Sequence, residues 1–238
     1  MVTISAQHNG PERSGNGGYV AGMLGAQLVA GHGADVVEST LRMPPPLQTP
    51  LTWEWADGVV RLVTAGGAVI GEARPGAFVD APPAPPSAEE AAAGLQGYPG
   101  FHTHPFDRCF TCGTAREEGD GLRLFTGPTG DGRVAGPWTP HAAFGGPDGA
   151  LDVPTTWAAL DCPGGWAADF TIQPVVLGRM TAQVVRAPRA GEALRSVGLL
   201  RERDGRKFRT ATALYVADDE LLGRAEQVWI QIDLSQFS

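Results

Sequence analysis

An α+β chain built as two similar units is what this sequence predicts, on three observations. A glycine-rich, apolar stretch of helical character, residues 16–30, is followed by short β-branched segments separated by turn residues. A proline-rich break at residues 81–86 interrupts the chain. Beyond it the same order returns, an apolar helix at 155–168 and then strands. The expected division is a first unit over 1–80, a linker over 81–100 and a second unit over 101–238.

Residues 1–15 are polar and end in a turn-rich run, Gly10-Pro11-Glu12-Arg13-Ser14-Gly15. Asn16 then suits the N-cap of a helix that Gly31 or Gly33 would stop. Inside it Gly18, Gly22 and Gly25 each cost about 1 kcal/mol against alanine, so a close neighbour is required to explain them; a curved sheet wrapping the helix would do so. Segments 36–43, 51–55, 59–64 and 68–73 alternate as strands, with Asp57-Gly58 and Gly66-Gly67 as hairpin turns. Ala81-Pro82-Pro83-Ala84-Pro85-Pro86 predicts a semi-rigid extended linker, and Ser87 with Glu90 a capped short helix. In the second unit 122–126 is expected as a strand, 133–138 as a turn, and 180–185, 194–200, 207–215 and 222–230 as strands, with Asp204-Gly205 as a hairpin signal. Pro163 is expected to kink or stop the second helix.

Composition narrows the function classes. A net charge of −8, with Lys207 the single lysine among 18 basic residues, argues against nucleic acid and anionic membrane as partners. No 18-residue apolar run is present, and the N-terminus lacks a basic region followed by an apolar block, so a soluble cytoplasmic protein is expected. Three cysteines do not make a disulfide scaffold.

Chemistry concentrates on Asp161, the one acid in the apolar run Thr155–Ala168. Burying a carboxylate is costly, so such a residue has a task or a strong hydrogen-bonding reason. Thr155 or Thr156 could orient it or a water. His102, His104, Cys109 and Cys112 form His-x-His-x4-Cys-x2-Cys, four zinc-competent ligands. A lone Cys-x2-Cys without a second pair favours a turn that packs small sulfurs, so neither metal nor cofactor is expected. Cys162 has no histidine partner and is not expected as a nucleophile. Arg179, Arg186 and Arg189 could meet phosphates or simply line a solvated strand face.

Gly17-Gly18-Tyr19 opening the first helix and Pro44-Pro45-Pro46 before a strand resemble the N-terminal half of type II acyl-CoA thioesterases. Cys109-Phe110-Thr111-Cys112-Gly113, Gly121-Leu122-Arg123-Leu124 and Leu160-Asp161 resemble the single-hotdog thioesterases of phenylacetyl-CoA type. Nearly the whole chain therefore resembles a double-hotdog acyl-CoA thioesterase, in which each antiparallel sheet wraps a central helix. The resemblance implies hydrolysis of an acyl-CoA or carrier-bound acyl thioester. Asp161 takes the acid position as general base or nucleophile, and Gly17 and Gly18 fit the amides that polarise the carbonyl. Asn16 stands where many relatives have histidine. Gly25 falls where an acid would stand in the first helix, and Pro154-Thr155-Thr156 replaces a Gly-Gly opening in the second, so one composite site per chain is implied. It further implies a homo-oligomer of double units. A non-catalytic acyl-thioester-binding or assembly protein, or a biosynthetic hotdog enzyme of different chemistry, stays open beside it.

Overall fold

The computed structural model describes residues 1–233. Helix α1 spans Gly17–His32. Asn16 caps it, its side-chain oxygen accepting the Tyr19 N–H at 2.8 Å. Gly33 closes it at φ 64°, donating its N–H to the Val29 carbonyl. Strands β1 (Val37–Leu41), β2 (Leu51–Ala56), β3 (Val59–Thr64) and β4 (Val69–Pro75) follow. Asp57 and Gly58 join β2 to β3 with φ of 52° and 74°, the positive pair that a two-residue hairpin turn requires.

Helix α2 (Ala88–Gln96) opens on the predicted capping box, Ser87 with Glu90. The second unit then contributes β5 (Gly127–Pro128), β6 (Arg133–Trp138), α3 (Val153–Ala167), β7 (Val175–Val184), β8 (Leu194–Asp204), β9 (Lys207–Val216) and β10 (Leu221–Gln231). Two expectations are corrected. Residues 133–138 form a strand paired with β8, while 122–126 lie outside regular pairing. Leu122, Leu124 and Phe125 are buried, and Arg123 between them takes φ 51°, a left-handed backbone that interrupts an extended run. That segment follows the cysteine loop instead, with Leu122 and Leu124 donating to the carbonyls of Phe110 and Thr111.

All strands join one antiparallel sheet in the order β2-β3-β4-β1-β7-β10-β9-β8-β6-β5. The seam is β1 against β7, with Val37 opposite Ala182 and Thr40 opposite Arg179. Helices α1 and α3 pack against this sheet and against each other. Their contact explains the glycines of α1. A Cβ on Gly18 would lie 2.3 Å from the Asp161 Cβ, and one on Gly22 would lie 2.7 Å from the Pro154 Cα. The close neighbour is thus the second helix, where the sequence pointed to a sheet.

Pro163 does not stop α3, which runs on to Ala167. Proline removes the N–H that would go back one turn and strains the ladder there. Neighbouring carbonyls are held from outside: Leu160 accepts from the Thr212 hydroxyl at 2.6 Å and the Gln227 amide at 2.7 Å, and Ala158 from the Thr111 hydroxyl at 3.1 Å.

The proline-rich segment is strapped down on the second unit. Its carbonyls accept from Arg201 (to Ala81, 2.9 Å), Tyr215 (to Pro83, 2.6 Å) and Arg133 (to Ala84, 3.1 Å), with Arg195 and Arg224 holding Pro86 and Asp80. Proline offers carbonyls and no competing N–H, so arginine is its natural partner.

Arg116 ties the N-terminal segment to the cysteine loop. It is 5 % exposed and donates to the carbonyls of Gln7 (2.7 Å) and Arg108 (2.9 Å), to Asp120 (2.8 Å) and to the Asn9 side chain. Arg116→Met should cost about 3 kcal/mol, because it leaves buried acceptors unpaired. Denaturant unfolding measures this, and a change below about 0.5 kcal/mol would show that water replaces the guanidinium.

Candidate functional site

The two helices bring Asp161 and the α1 N-terminus together from positions 143 residues apart. Asp161 is 2 % exposed, and its Oδ2 accepts the Gly18 N–H at 2.9 Å. Its Oδ1 has no hydrogen-bond partner among the described residues. Such an oxygen, buried and unpaired, is costly and points to a ligand. Burial pushes the Asp161 carboxyl well above the usual carboxylate range. The Gly18 N–H works in the opposite direction, and the Cys109 sulfur adds to the rise.

Asp161 lines a cavity of about 240 Å³. Its wall is largely apolar, with Met43, Pro45, Phe106, Phe170, Leu177 and Trp229 around the Asn16-Gly17 turn, Asp161 and three cysteines. Both halves of the chain supply it: α1 and the turn after β1 from the first, and α3, β7, β10 and the cysteine loop from the second.

The individual candidates separate clearly. Gly17 lines the cavity, and at the first helical position its N–H donates to nothing among the described residues. A Cβ there would lie 2.7 Å from the Leu177 Cβ, so the turn is fitted to β7. The Gly18 N–H, expected to face a thioester carbonyl, donates here to the Asp161 carboxylate at 2.9 Å. Asn16 spends its oxygen on the cap and turns its amide nitrogen to Cys109 Sγ at 3.6 Å and Cys162 Sγ at 3.9 Å. The Thr156 hydroxyl, expected to orient Asp161 or a water, donates to the Asp152 carbonyl at 2.8 Å within its own first turn.

His102, His104, Cys109 and Cys112 are not brought together as one ligand set among the described residues. His104 Nε2 donates to the Cys112 carbonyl at 3.0 Å and its Nδ1 accepts the Phe106 N–H at 2.9 Å, so both nitrogens are engaged. His102 is exposed. The third member of the cluster is Cys162, from α3. Cys109 accepts from the thiols of Cys112 and Cys162 and from backbone N–H groups of Cys112 and Thr111, which hold its thiol well below the ordinary value against the effect of burial. Burial and the Cys109 sulfur push Cys112 up, and the Cys109 thiol does the same to Cys162. The lone third cysteine beside Asp161 was the sequence signal for this grouping.

Two further features were missed. Gln227 and Thr212 hold the α3 carbonyl next to Asp161, and Thr210 links Gln227 (2.8 Å) to Trp229 (3.1 Å) on the cavity wall. The arginines raised as phosphate contacts are engaged elsewhere: Arg179 with Glu38 (3.6 Å), Arg186 with Glu192 (2.7 Å), and Arg189 with the Asp148 carbonyl.

Two helices back to back under one sheet formed from two such units define a double-hotdog fold. Solved structures of this architecture bear it out over nearly the whole chain. A provisionally assigned thioesterase from Novosphingobium aromaticivorans superposes at TM-score 0.61 with 12 % identity, covering 98 % of this chain and 94 % of that one. The tesB protein of Mycobacterium avium subs paratuberculosis gives 0.57 with 12 % identity, over 94 % and 89 %. A provisionally assigned oleoyl thioesterase from Lactobacillus plantarum gives 0.56 with 10 % identity, over 98 % and 95 %. No protein-family model and no curated protein matches the sequence. Among the described residues no helix is long and apolar enough to cross a membrane.

Proposed function

We propose that this protein hydrolyses an acyl thioester carried on coenzyme A or an acyl carrier, with Asp161 as the residue that acts on water or on the carbonyl carbon. The observation that carries the reading is the unpaired, buried Asp161 oxygen in an apolar cavity beside an unspent helix N-terminal N–H. In the general-base form, Asp161 takes a proton from water as the hydroxide adds to the thioester carbon. The Gly17 N–H meets the developing oxyanion. The carbon–sulfur bond then breaks, and the departing thiolate takes the proton. Gly18 holds the carboxylate in place throughout. A raised pKa makes the ionised carboxylate a stronger base.

At about 240 Å³ the cavity is smaller than the ~300–1,000 Å³ of sites that enclose a drug-sized ligand, so it suits the acyl end with the carrier outside. The neighbours described as thioesterases agree with this reading in fold. A non-catalytic acyl-thioester binder is favoured by the strong burial of Asp161, which opposes its ionisation. The cytoplasmic setting and the homo-oligomer of double units remain expectations attached to the proposal.

A panel of acyl-CoA thioesters of graded chain length, followed by release of free thiol, tests it. Saturable turnover favouring short or compact acyl groups is expected. Saturable binding with no thiol release across the panel selects the non-catalytic reading, and neither binding nor turnover overturns both.

A further inference from the structure

Three cysteines stand together on the cavity wall, and the hydrolysis reading does not use them. We infer that Cys109, Cys112 and Cys162 form a three-thiolate site for a thiophilic divalent cation of the zinc class, tying the cysteine loop to α3 beside Asp161. The three Sγ atoms lie within 4.8 Å of one another. Cys109 and Cys162 are 3.7 Å apart. Tetrahedral zinc with Zn–S bonds of about 2.3 Å sets its sulfurs about 3.8 Å apart, so the cluster needs only a small contraction to close on an ion.

The surroundings suit such an ion. All three sulfurs are buried and all line the cavity, which gives an entry path and leaves a fourth position for a water or a ligand. The Asn16 amide nitrogen faces Cys109 at 3.6 Å and Cys162 at 3.9 Å, where it would donate to thiolates as an outer-shell partner does in metal–sulfur sites. Three thiolates and a divalent ion leave one negative charge. The positive end of α1, opening at Gly17 on the same cavity, offsets it. Oxygen donors are absent from the set, which selects against magnesium and calcium. The ligands come from a Cys-x2-Cys loop and from α3, with Cys162 standing 53 residues after Cys109, which explains why the sequence read alone paired the loop with His102 and His104.

The test uses the full chain, purified with reductant and stripped of metal, then titrated separately with zinc and with cobalt(II). One zinc per chain and a sulfur-to-cobalt charge-transfer band are expected. Cys112→Ser and Cys162→Ser should each weaken zinc at least roughly tenfold, with folding checked by circular dichroism, while His102→Gln keeps the full stoichiometry. The wild-type measurement stands even if a cysteine variant fails to fold. Absence of uptake by protein with three titratable thiols overturns the site. So does zinc lost in His102→Gln and retained in Cys162→Ser.

Discussion

Asp161→Asn is expected to lower the rate of thioester hydrolysis by a factor on the order of 10²–10⁴, the usual contribution of a positioned acid or base. Asparagine keeps the oxygen that accepts the Gly18 N–H, so the helix contact and the cavity shape are preserved. What it removes is the charge, an amide nitrogen taking the place of the oxygen that has no partner. The same substitution should therefore stabilise the fold. A carboxylate kept in a buried site at the expense of stability is the signature of a functional residue, and its neutral isostere should gain about 1 kcal/mol, or roughly 3 °C in Tm. The two readouts together are diagnostic. A structural carboxylate would lose stability on substitution and leave any turnover untouched. Kinetics of thiol release and a thermal melt on the same preparation decide between them.

Gly18→Ala is the second large effect. Its Cβ would sit 2.3 Å from the Asp161 Cβ and 2.8 Å from the Trp157 carbonyl oxygen, distances that no rotamer change can relieve. The helices must separate, at a cost of about 3 kcal/mol, or roughly 6 to 12 °C in Tm. Because the Gly18 N–H holds the acid, hydrolysis should fall too, and by more than the folded fraction accounts for. Gly22→Ala supplies the comparison. It meets Pro154 and Trp157 at 2.7 and 2.8 Å, so it should lose similar stability, while the Asp161 contact one turn away is left in place. Hydrolysis per folded molecule that drops equally in both variants would show that Gly18 has no specific part in holding the acid.

The helices, their caps and most strands were legible because the signals are local: Asn16 and Ser87 as caps, Asp57-Gly58 as a turn, alternation along β1 to β4 and β7 to β10. Residues 122–126 and 133–138 were exchanged because the hydrogen bonds of the first go to the cysteine loop while the second finds its partner in β8, some sixty residues further along the chain. Pro163 was read as a kink or stop because the side chains that hold its neighbouring carbonyls, Thr212 and Gln227, lie far along the chain. The candidate site shows the same division. Asp161 stood out as an acid in an apolar run, and the family resemblance paired it with the Gly17-Gly18 turn. That Gly18 grips the acid while Gly17 stays free, that Thr156 bonds its own helix, and that Cys162 completes the cysteine group all depend on how α1 crosses α3. No local pattern carries a crossing of two helices.

A thioester is expected to sit in the cavity between α1 and α3. The crystal structure of the protein with a non-hydrolysable thioether analogue of a short acyl-CoA, its carbonyl retained, tests it most directly. The carbonyl oxygen is expected at about 3 Å from the Gly17 N–H and the carbonyl carbon beside Asp161 Oδ1, with the acyl group in the cavity between the helices. An analogue bound elsewhere, with that cavity left to solvent, would contradict it.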